Sequence, residues 1–335
     1  MHEIRLNPLV KWWIIVAEHR SMRPWRPDET AREVKCPFCP GAPELAHLDK
    51  WDVVVLPNKY PALVEEPERP KSPGFEAYEV KEARGACKVI VETPSHEGDF
   101  YTLSLDHVVK VIEAYSSEYA ELSKREYVEY VAVFRNKGKE IGVSLTHPHS
   151  QIYALPFIPP RILAELDSMK EYYEKHGKCL ICDVVAYETG GERVVYENEH
   201  FLVLLPFYAM WPYELHVYPK RHFSSILDLR GEEVVHFADT LRVVTATYTE
   251  LLERDAPYIM ALHNPPTKGN YPYYHFHVEF YQPYREKGKL KYAAGIEWGY
   301  WVFTYDGSPE AKARELRASC AKAVQKLGEV LGKCK

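Results

Sequence analysis

Side-chain amides are scarce in this 335-residue chain: three Gln (151, 282 and 325) and six Asn (7, 58, 136, 198, 264 and 270) stand against 25 Pro. Few thermolabile residues together with proline-rich loops predict, as a hypothesis, a thermophilic source. Runs of basic residues are also missing and the net charge is −6. That excludes the basic footprint needed to hold a nucleic-acid backbone. No apolar stretch approaches the roughly 20 residues of a membrane helix. The short apolar segment 12–17 is too brief for a signal or a membrane anchor, and the expectation is a cytoplasmic protein. Neither cysteine pair adjoins a glycine-rich turn or a thioredoxin-like context.

What is present is the composition of a soluble globular protein, 46% hydrophobic and 27% charged. The length suffices for one large domain or two ordinary ones. Seven cysteines are spread unevenly: Cys36/Cys39 and Cys179/Cys182 form two CxxC pairs, and Cys87, Cys320 and Cys334 stand apart. In a cytosolic chain such pairs read first as metal ligands, then as redox centres, and as disulfides mainly in hyperthermophiles.

The most informative segment is Thr146-His147-Pro148-His149-Ser150-Gln151. On an extended strand, side chains at i, i+2 and i+4 share a face, so two imidazoles and one amide project together. Such a row can grip a metal, attack phosphorus and hold a phosphate oxygen. A glutamine in a chain that otherwise avoids glutamine marks that position further.

The landmarks recur in order. The first half has Cys36-x-x-Cys39, an apolar run ending at Pro57, His96, and His147-x-His149. The second has Cys179-x-x-Cys182, an apolar run ending at Pro206, His222, and His275-x-His277. The middle histidine precedes the HxH by 51 residues in one half and 53 in the other. The largest difference is the charged, proline-rich segment 65–85, which reads as an inserted surface loop. Short β-branched and aromatic runs predict strands at 53–56, 89–92, 131–135, 152–155, 201–205, 214–218 and 278–281. Helical periodicity marks 105–125, 162–176, 232–255 and 309–333. The fold class is α+β, with mostly antiparallel strands under long covering helices.

A tetrahedral ion with thiolate and imidazole donors suits the first repeat: Cys36 and Cys39 supply sulfur, with His96 and His147 as the candidate nitrogens. A closed zinc site of that kind braces the strand bearing His149 and leaves no open position for substrate.

At this point several motifs in order carry a resemblance across nearly the whole chain. The HPHSQ row, Thr93-Pro94-Ser95-His96, Arg5-Leu6-Asn7-Pro8, His19-Arg20-Ser21-Met22-Arg23-Pro24-Trp25, Asn58-Lys59-Tyr60, Asn136 and the Lys291-Tyr292 to Gly295-x-Glu297 segment resemble the galactose-1-phosphate uridylyltransferase family of the histidine-triad superfamily. The resemblance implies tandem histidine-triad-like halves, 1–160 with the zinc site and nucleophile and 161–335 with the hexose-binding segment. Both would be built on an antiparallel half-barrel sheet. It implies His149 as the nucleophile that takes uridylyl from UDP-glucose and passes it to galactose 1-phosphate. Gln151 and Ser144 would steady the phosphoryl oxygens, and a Gln where hydrolases carry a third His favours transfer over hydrolysis. Asn58, Lys59, Tyr60 and Asn136 are the implied nucleotide contacts, and Lys291, Tyr292, Gly295 and Glu297 the hexose contacts. Arg20 and Arg23 would reach the sugar phosphate from the neighbouring subunit of a homodimer.

Three matters stay open in the sequence. The second half offers either Cys179, Cys182, His222 and His275 as a second zinc site, or His263, His275 and His277 as the histidines of a different metal site. Its glutamate falls on Arg161 in a gapless reading, with Glu165 the nearest carboxylate. The two cysteines could also pair with each other. Lys59 stands where relatives often carry Asp, which leaves an ADP-sugar adenylyltransferase as an alternative, and a non-catalytic nucleotide-binding module as another.

Overall fold

The computed structural model describes residues 2–22 and 36–335. Strands β1 (His2–Leu6) and β2 (Trp13–Ala17) form a hairpin, β3 (Val54–Pro57) starts the main sheet, β4 (Val80–Glu82) returns to β1, and β5 (Ala86–Val91) follows. Helix α1 (Leu105–Ser123) leads to β6 (Tyr130–Lys137) and β7 (His149–Leu155). Helices α2 (Pro160–His176) and α3 (Leu180–Glu188) then bridge to β8 (Val194–Glu197), β9 (Phe201–Leu204), β10 (Leu215–Pro219), α4 (Glu232–Leu252), β11 (Tyr258–His263) and β12 (His277–Tyr281). The hairpin β13 (Tyr284–Glu286) and β14 (Lys289–Leu290), helices α5 (Gly295–Tyr300) and α6 (Pro309–Leu327), and β15 (Lys333–Cys334) complete the chain.

Ten strands form one antiparallel sheet in the order β15-β8-β9-β10-β12-β11-β6-β7-β5-β3. Read outward from the centre, the order is a mirror: β6, β7, β5, β3 on one side and β11, β12, β10, β9 on the other. Each half therefore repeats one unit, β3-β5-α1-β6-β7 and β9-β10-α4-β11-β12. The halves are sewn together where β11 pairs with β6, from Tyr258 opposite Lys137 to Leu262 opposite Val133.

Alternation decides which way each strand faces. Along β7 the residues His149, Gln151 and Tyr153 are half-buried, whereas Ser150, Ile152 and Ala154 are buried. The buried set joins the main core beneath α1, α4 and α6, with Val111, Ile112, Phe237, Leu241 and Leu316. Helix α1 starts where the Ser104 hydroxyl accepts from the His107 N–H at 3.2 Å, an N-cap. Its apolar residues Val108, Val111, Ile112, Tyr115, Tyr119 and Leu122 then follow the 3.6-residue period. On the opposite face α2 and α3 cover a second core that includes Ile4, Leu63, Ile162, Leu166 and Leu204.

The predicted strands all form, within one to three residues at each end. Strands β1, β2, β8 and β11 and helix α3 lie outside the predicted segments, and further features differ. Segment 65–85 is not all loop, because Val80–Glu82 adds β4 to β1. The last long helix stops at Leu327 rather than near 333, at Gly328 with φ of +77°, a conformation that favours glycine. The chain then turns back so that β15 pairs with β8. Cys320 and Cys334, which stood apart in the sequence, are joined as a disulfide. Cys179 and Cys182 are not joined; both are free thiols. Among the described residues, no helix is long and apolar enough to cross a membrane.

Candidate active site and metal centres

The first repeat gathers Cys36, Cys39, His96 and His147, whose donor atoms all lie within 4.8 Å of one another. His147 Nδ1 is 3.7 Å from both sulfurs, and His96 Nδ1 is 3.3 Å from Cys39 Sγ. Around a tetrahedral ion with bonds of about 2.3 Å to sulfur and about 2.0–2.1 Å to nitrogen, neighbouring S and N donors sit about 3.6 Å apart. The observed spacings match. His147 Nε2–H donates to the Thr93 carbonyl at 2.7 Å, which leaves Nδ1 with its lone pair toward the sulfurs. Burial, followed by the charges of His96 and His149, keeps the His147 imidazole neutral by lowering its pKa, the ligating form.

The second repeat reproduces this centre. Cys179 Sγ and Cys182 Sγ lie 3.4 and 3.5 Å from His275 Nδ1, Cys182 Sγ lies 3.5 Å from His222 Nδ1, and the two imidazole nitrogens are 3.3 Å apart. Two nitrogens on the same tetrahedral ion would be about 3.4 Å apart. His275 Nε2–H donates to the Pro219 carbonyl and His222 Nε2–H to the Pro272 carbonyl, both at 3.0 Å. The neighbouring Cys182 pulls the Cys179 thiol down, toward the thiolate that binds metals, while its own thiol is pushed up by Cys179.

Among the described residues His275 clusters with the cysteines and His222, not with His263 and His277. The partners of His263 and His277 are two carboxylates, Glu165 and Glu279, within 4.8 Å. His263 Nδ1 lies 3.0 Å from Glu165, and Arg161 makes a 2.6 Å ion pair with Glu279. Arg161 and Glu165 stand one turn apart on α2, so both reach the cluster; Glu165, not position 161, is its carboxylate from that helix. Sequence reading missed Glu279, although its place two residues after His277 mirrors Gln151 two after His149. Two buried imidazoles, the buried Glu279 and the half-buried Glu165 can hold a divalent cation, with Arg161 sharing the negative charge.

The HPHSQ row sits beside the first centre. His149 Nδ1–H donates to the His147 carbonyl at 2.7 Å. A carbonyl only accepts, so Nδ1 carries the proton and Nε2 the lone pair. His277 makes the same bond to the His275 carbonyl at 3.0 Å. Gln151 Oε1 accepts from Tyr153 at 3.5 Å, and Arg20 Nη1 donates to the Tyr153 hydroxyl at 3.3 Å and to the Tyr60 carbonyl at 3.4 Å. The Arg20 side chain lies against Tyr153 and Tyr60 of the same chain. Arg23 lies outside the described residues. Asn58 donates its backbone N–H to the Cys87 carbonyl, opposite Tyr153, and its side chain accepts from Tyr60 N–H at 2.9 Å. Lys59 is exposed and 3.4 Å from Glu44. Ser144 lies half-buried on the loop before β7, and Asn136 on β6 opposite Ile259.

The segment expected from the sequence to bind hexose, Lys291 to Glu297, packs elsewhere in the chain. Lys291 is 4% exposed and donates to the carbonyls of Met210, at 2.8 Å, and Thr304. Glu297 accepts from Ala294 N–H at 3.1 Å and from the Thr304 hydroxyl at 2.9 Å, capping α5. Tyr292 is 73% exposed, Trp298, Tyr300, Trp301 and Val302 are exposed too, and Trp301 packs edge-on against Trp12 at 5.0 Å.

Behind β7 lies a buried charge network. Arg135, 2% exposed, pairs with Glu92 at 2.9 Å and with Asp99 at 2.9 Å. Glu92 also accepts from Ser150 at 2.5 Å, and Lys137 reaches Asp99 at 2.7 Å. Burial would raise the Asp99 carboxyl, but Arg135 and Lys137 hold it below the usual carboxylate range.

Comparison with known proteins agrees with this architecture. Residues 1–159 match the N-terminal domain, and residues 165–300 the C-terminal domain, of galactose-1-phosphate uridyl transferase. A galactose-1-phosphate uridylyltransferase of Thermotoga maritima is 42% identical, covering 95% of this chain and 98% of the relative; that of Haemophilus influenzae is 31% identical, covering 88% and 87%. A solved uridylyltransferase superposes with a TM-score of 0.88 at 45% identity, covering 96% of this chain and 99% of that one. An ADP-glucose phosphorylase of Arabidopsis thaliana gives 0.73 at 26%, covering 95% and 98%. With both halves matched in order and the mirrored sheet in place, the chain belongs to the galactose-1-phosphate uridyl transferase family.

Proposed function

We propose that this chain is a UDP-glucose:hexose-1-phosphate uridylyltransferase that works by a ping-pong mechanism through His149. In the first step the Nε2 lone pair attacks the α-phosphorus of UDP-glucose. The N–P bond forms as the bridging P–O bond breaks, and glucose 1-phosphate leaves with the electron pair. In the second step a phosphate oxygen of galactose 1-phosphate attacks the same phosphorus, releasing UDP-galactose and the free imidazole. Covalent catalysis of this kind replaces one difficult displacement by two easier ones. The observation that carries the reading is the His149 Nδ1–His147 carbonyl bond, which presents Nε2 in its nucleophilic form. The names of the relatives, at up to 42% identity over nearly the full chain, support the substrates.

The remaining roles follow from position. Gln151, its carbonyl engaged by Tyr153, has its NH₂ to donate to the phosphoryl oxygens without titrating. Arg20 adds fixed positive charge through Tyr153, and Ser144 a hydroxyl. Asn58, Lys59, Tyr60 and Asn136 contact the nucleotide. Zinc is the ion we assign to both cysteine centres, on donor type and spacing; there it supplies a structural brace, His147 being both its ligand and the neighbour of His149. The halves divide at 1–160 and 161–335.

The exposed apolar residues between Tyr292 and Val302 support a homodimer. In that dimer Tyr292, Gly295, Lys291 and Glu297 form the hexose segment, and the resemblance assigns Arg20 and Arg23 to the sugar phosphate of the neighbouring subunit. We assign the cytoplasm of a thermophile, where a structural disulfide such as Cys320–Cys334 persists.

Incubation with UDP-glucose alone, followed by intact-mass measurement, is expected to give a uridylyl adduct that is absent in His149→Ala. An unmodified wild-type protein that also fails to exchange glucose 1-phosphate would overturn the transferase and leave a nucleotide-binding module. An adduct from ADP-glucose and none from UDP-glucose would assign the adenylyl reaction instead.

A further inference from the structure

Apart from the cysteine centres and the Glu165–Glu279 cluster, another set of metal donors gathers where the β8–β9 turn meets α4. Glu199 and His200 lie on the turn and His236 near the start of α4; one donor atom from each lies within 4.8 Å of the others. The two imidazole rings meet edge-on, with centroids 4.6 Å apart.

Their placement is fixed by one buried side chain. Asn198 Oδ1 accepts from the His200 N–H at 3.1 Å and the Phe201 N–H at 2.9 Å. Its NH₂ donates to the His236 carbonyl at 2.9 Å and to Thr240 at 3.0 Å. A fully used amide thus pins the turn that bears two donors to the helix residue that bears the third, so little ordering remains to be done on binding.

A second observation indicates what is wanted there. His236 is 9% exposed, and its Nδ1 is buried with no hydrogen-bond partner. A buried ring nitrogen left unpaired is unfavourable, and an ion or a donor satisfies it. Burial first, and then the charge of His200, lowers the His236 pKa and keeps the imidazole in its neutral, ligating form. Glu199 is exposed and supplies an anionic oxygen on the solvent side.

We infer that Glu199, His200 and His236 form a binding site for a divalent transition-metal ion. Two imidazoles and a carboxylate suit Zn²⁺, Co²⁺ or Ni²⁺ and leave the remaining positions to water, whereas Mg²⁺ and Ca²⁺ prefer all-oxygen shells. The ion would cross-link the outer hairpin of the sheet to α4. The end of the chain is anchored in the same place: Lys335 pairs with Glu197 at 2.6 Å, and Leu331 N–H donates to Asp239 at 3.0 Å.

The test titrates Ni²⁺ and Zn²⁺ into the intact protein with its cysteine centres already filled, by calorimetry and by melting temperature. Wild type is expected to take up one equivalent beyond that of the Glu165–Glu279 cluster, and to melt higher. His200→Gln and Glu199→Gln, both on the turn, should lose the equivalent and the shift while keeping wild-type uridylyl transfer; His236→Gln should behave alike if it folds. Glu165→Gln should retain the equivalent, which separates this site from the buried cluster. The inference is overturned if His200→Gln and Glu199→Gln bind as wild type does, or if the only extra equivalent is the one that Glu165→Gln removes.

Discussion

Replacing Arg135 by Met should destabilise the fold by about 3–5 kcal/mol, the usual result of removing one partner from a buried ion pair. Two carboxylates face the guanidinium, but they do not suffer equally. Asp99 keeps Lys137 at 2.7 Å, the Tyr258 hydroxyl at 2.6 Å and the Phe100 N–H at 2.7 Å. Glu92, fully buried, keeps only neutral donors, Ser150 at 2.5 Å and Tyr115 at 3.3 Å. One uncompensated charge rather than two is left behind, so the single-partner figure applies without doubling. At about 1.4 kcal/mol per tenfold, the ratio of folded to unfolded protein falls by roughly two to three and a half orders of magnitude. The assay is guanidinium unfolding followed by tryptophan fluorescence and circular dichroism, with Glu92→Gln and the double variant alongside. The double variant should recover at least half of the loss, because it removes the stranded charge. A shift below about 1 kcal/mol in Arg135→Met, or a double variant less stable than either single, would refute the reasoning.

Three other outcomes are expected. Cys36→Ser and Cys179→Ser should each remove one zinc per chain by elemental analysis; transfer should suffer more in Cys36→Ser, whose centre includes the neighbour of the nucleophile. Because Asp99 has a depressed pKa in the folded state, its stabilisation is present above its unfolded value of about 3.9 and is lost as pH falls through the folded one. The stability gap between wild type and Asp99→Asn should therefore be constant near neutrality and close below about pH 4. Cys334→Ser opens a loop with a sequence separation of 14, and should lower stability by about 3 kcal/mol, read as a lower melting temperature without reductant.

The parts legible in the sequence were those whose physics is local or repeated. Strands with β-branched runs, helices with the 3.6-residue period and the donor set of the first cysteine centre could be placed from local pattern and spacing, whereas the second cysteine centre stayed one of several options. The Glu165–Glu279 cluster could not, because it joins α2 to β12 across more than a hundred residues and its arginine sits one helical turn from the carboxylate. Arg135 was invisible for a similar reason: buried charges break no periodic pattern, and β6 read as a strand with or without it. Strand β11 was missed although Tyr258 to His263 carries the seam, because Met260, Ala261 and Leu262 favour helix and Ile259 is its one β-branched residue. The lone cysteines 320 and 334 gave no sign of their pairing until Gly328 turned the chain back.

The seam has a consequence for how such a chain could have arisen. Cut between α2 and α3, each half would expose a bare strand, β6 in one and β11 in the other, with five residues' worth of unpaired backbone. Such an edge is self-complementary in an antiparallel sense, so an isolated half could satisfy it by pairing with a second copy of itself across a two-fold axis. The mirrored sheet is thus the shape of a symmetric dimer threaded onto one polypeptide. Covalent linkage leaves the two copies free to differ, one with Gln151 two residues after its histidine and the other with Glu279.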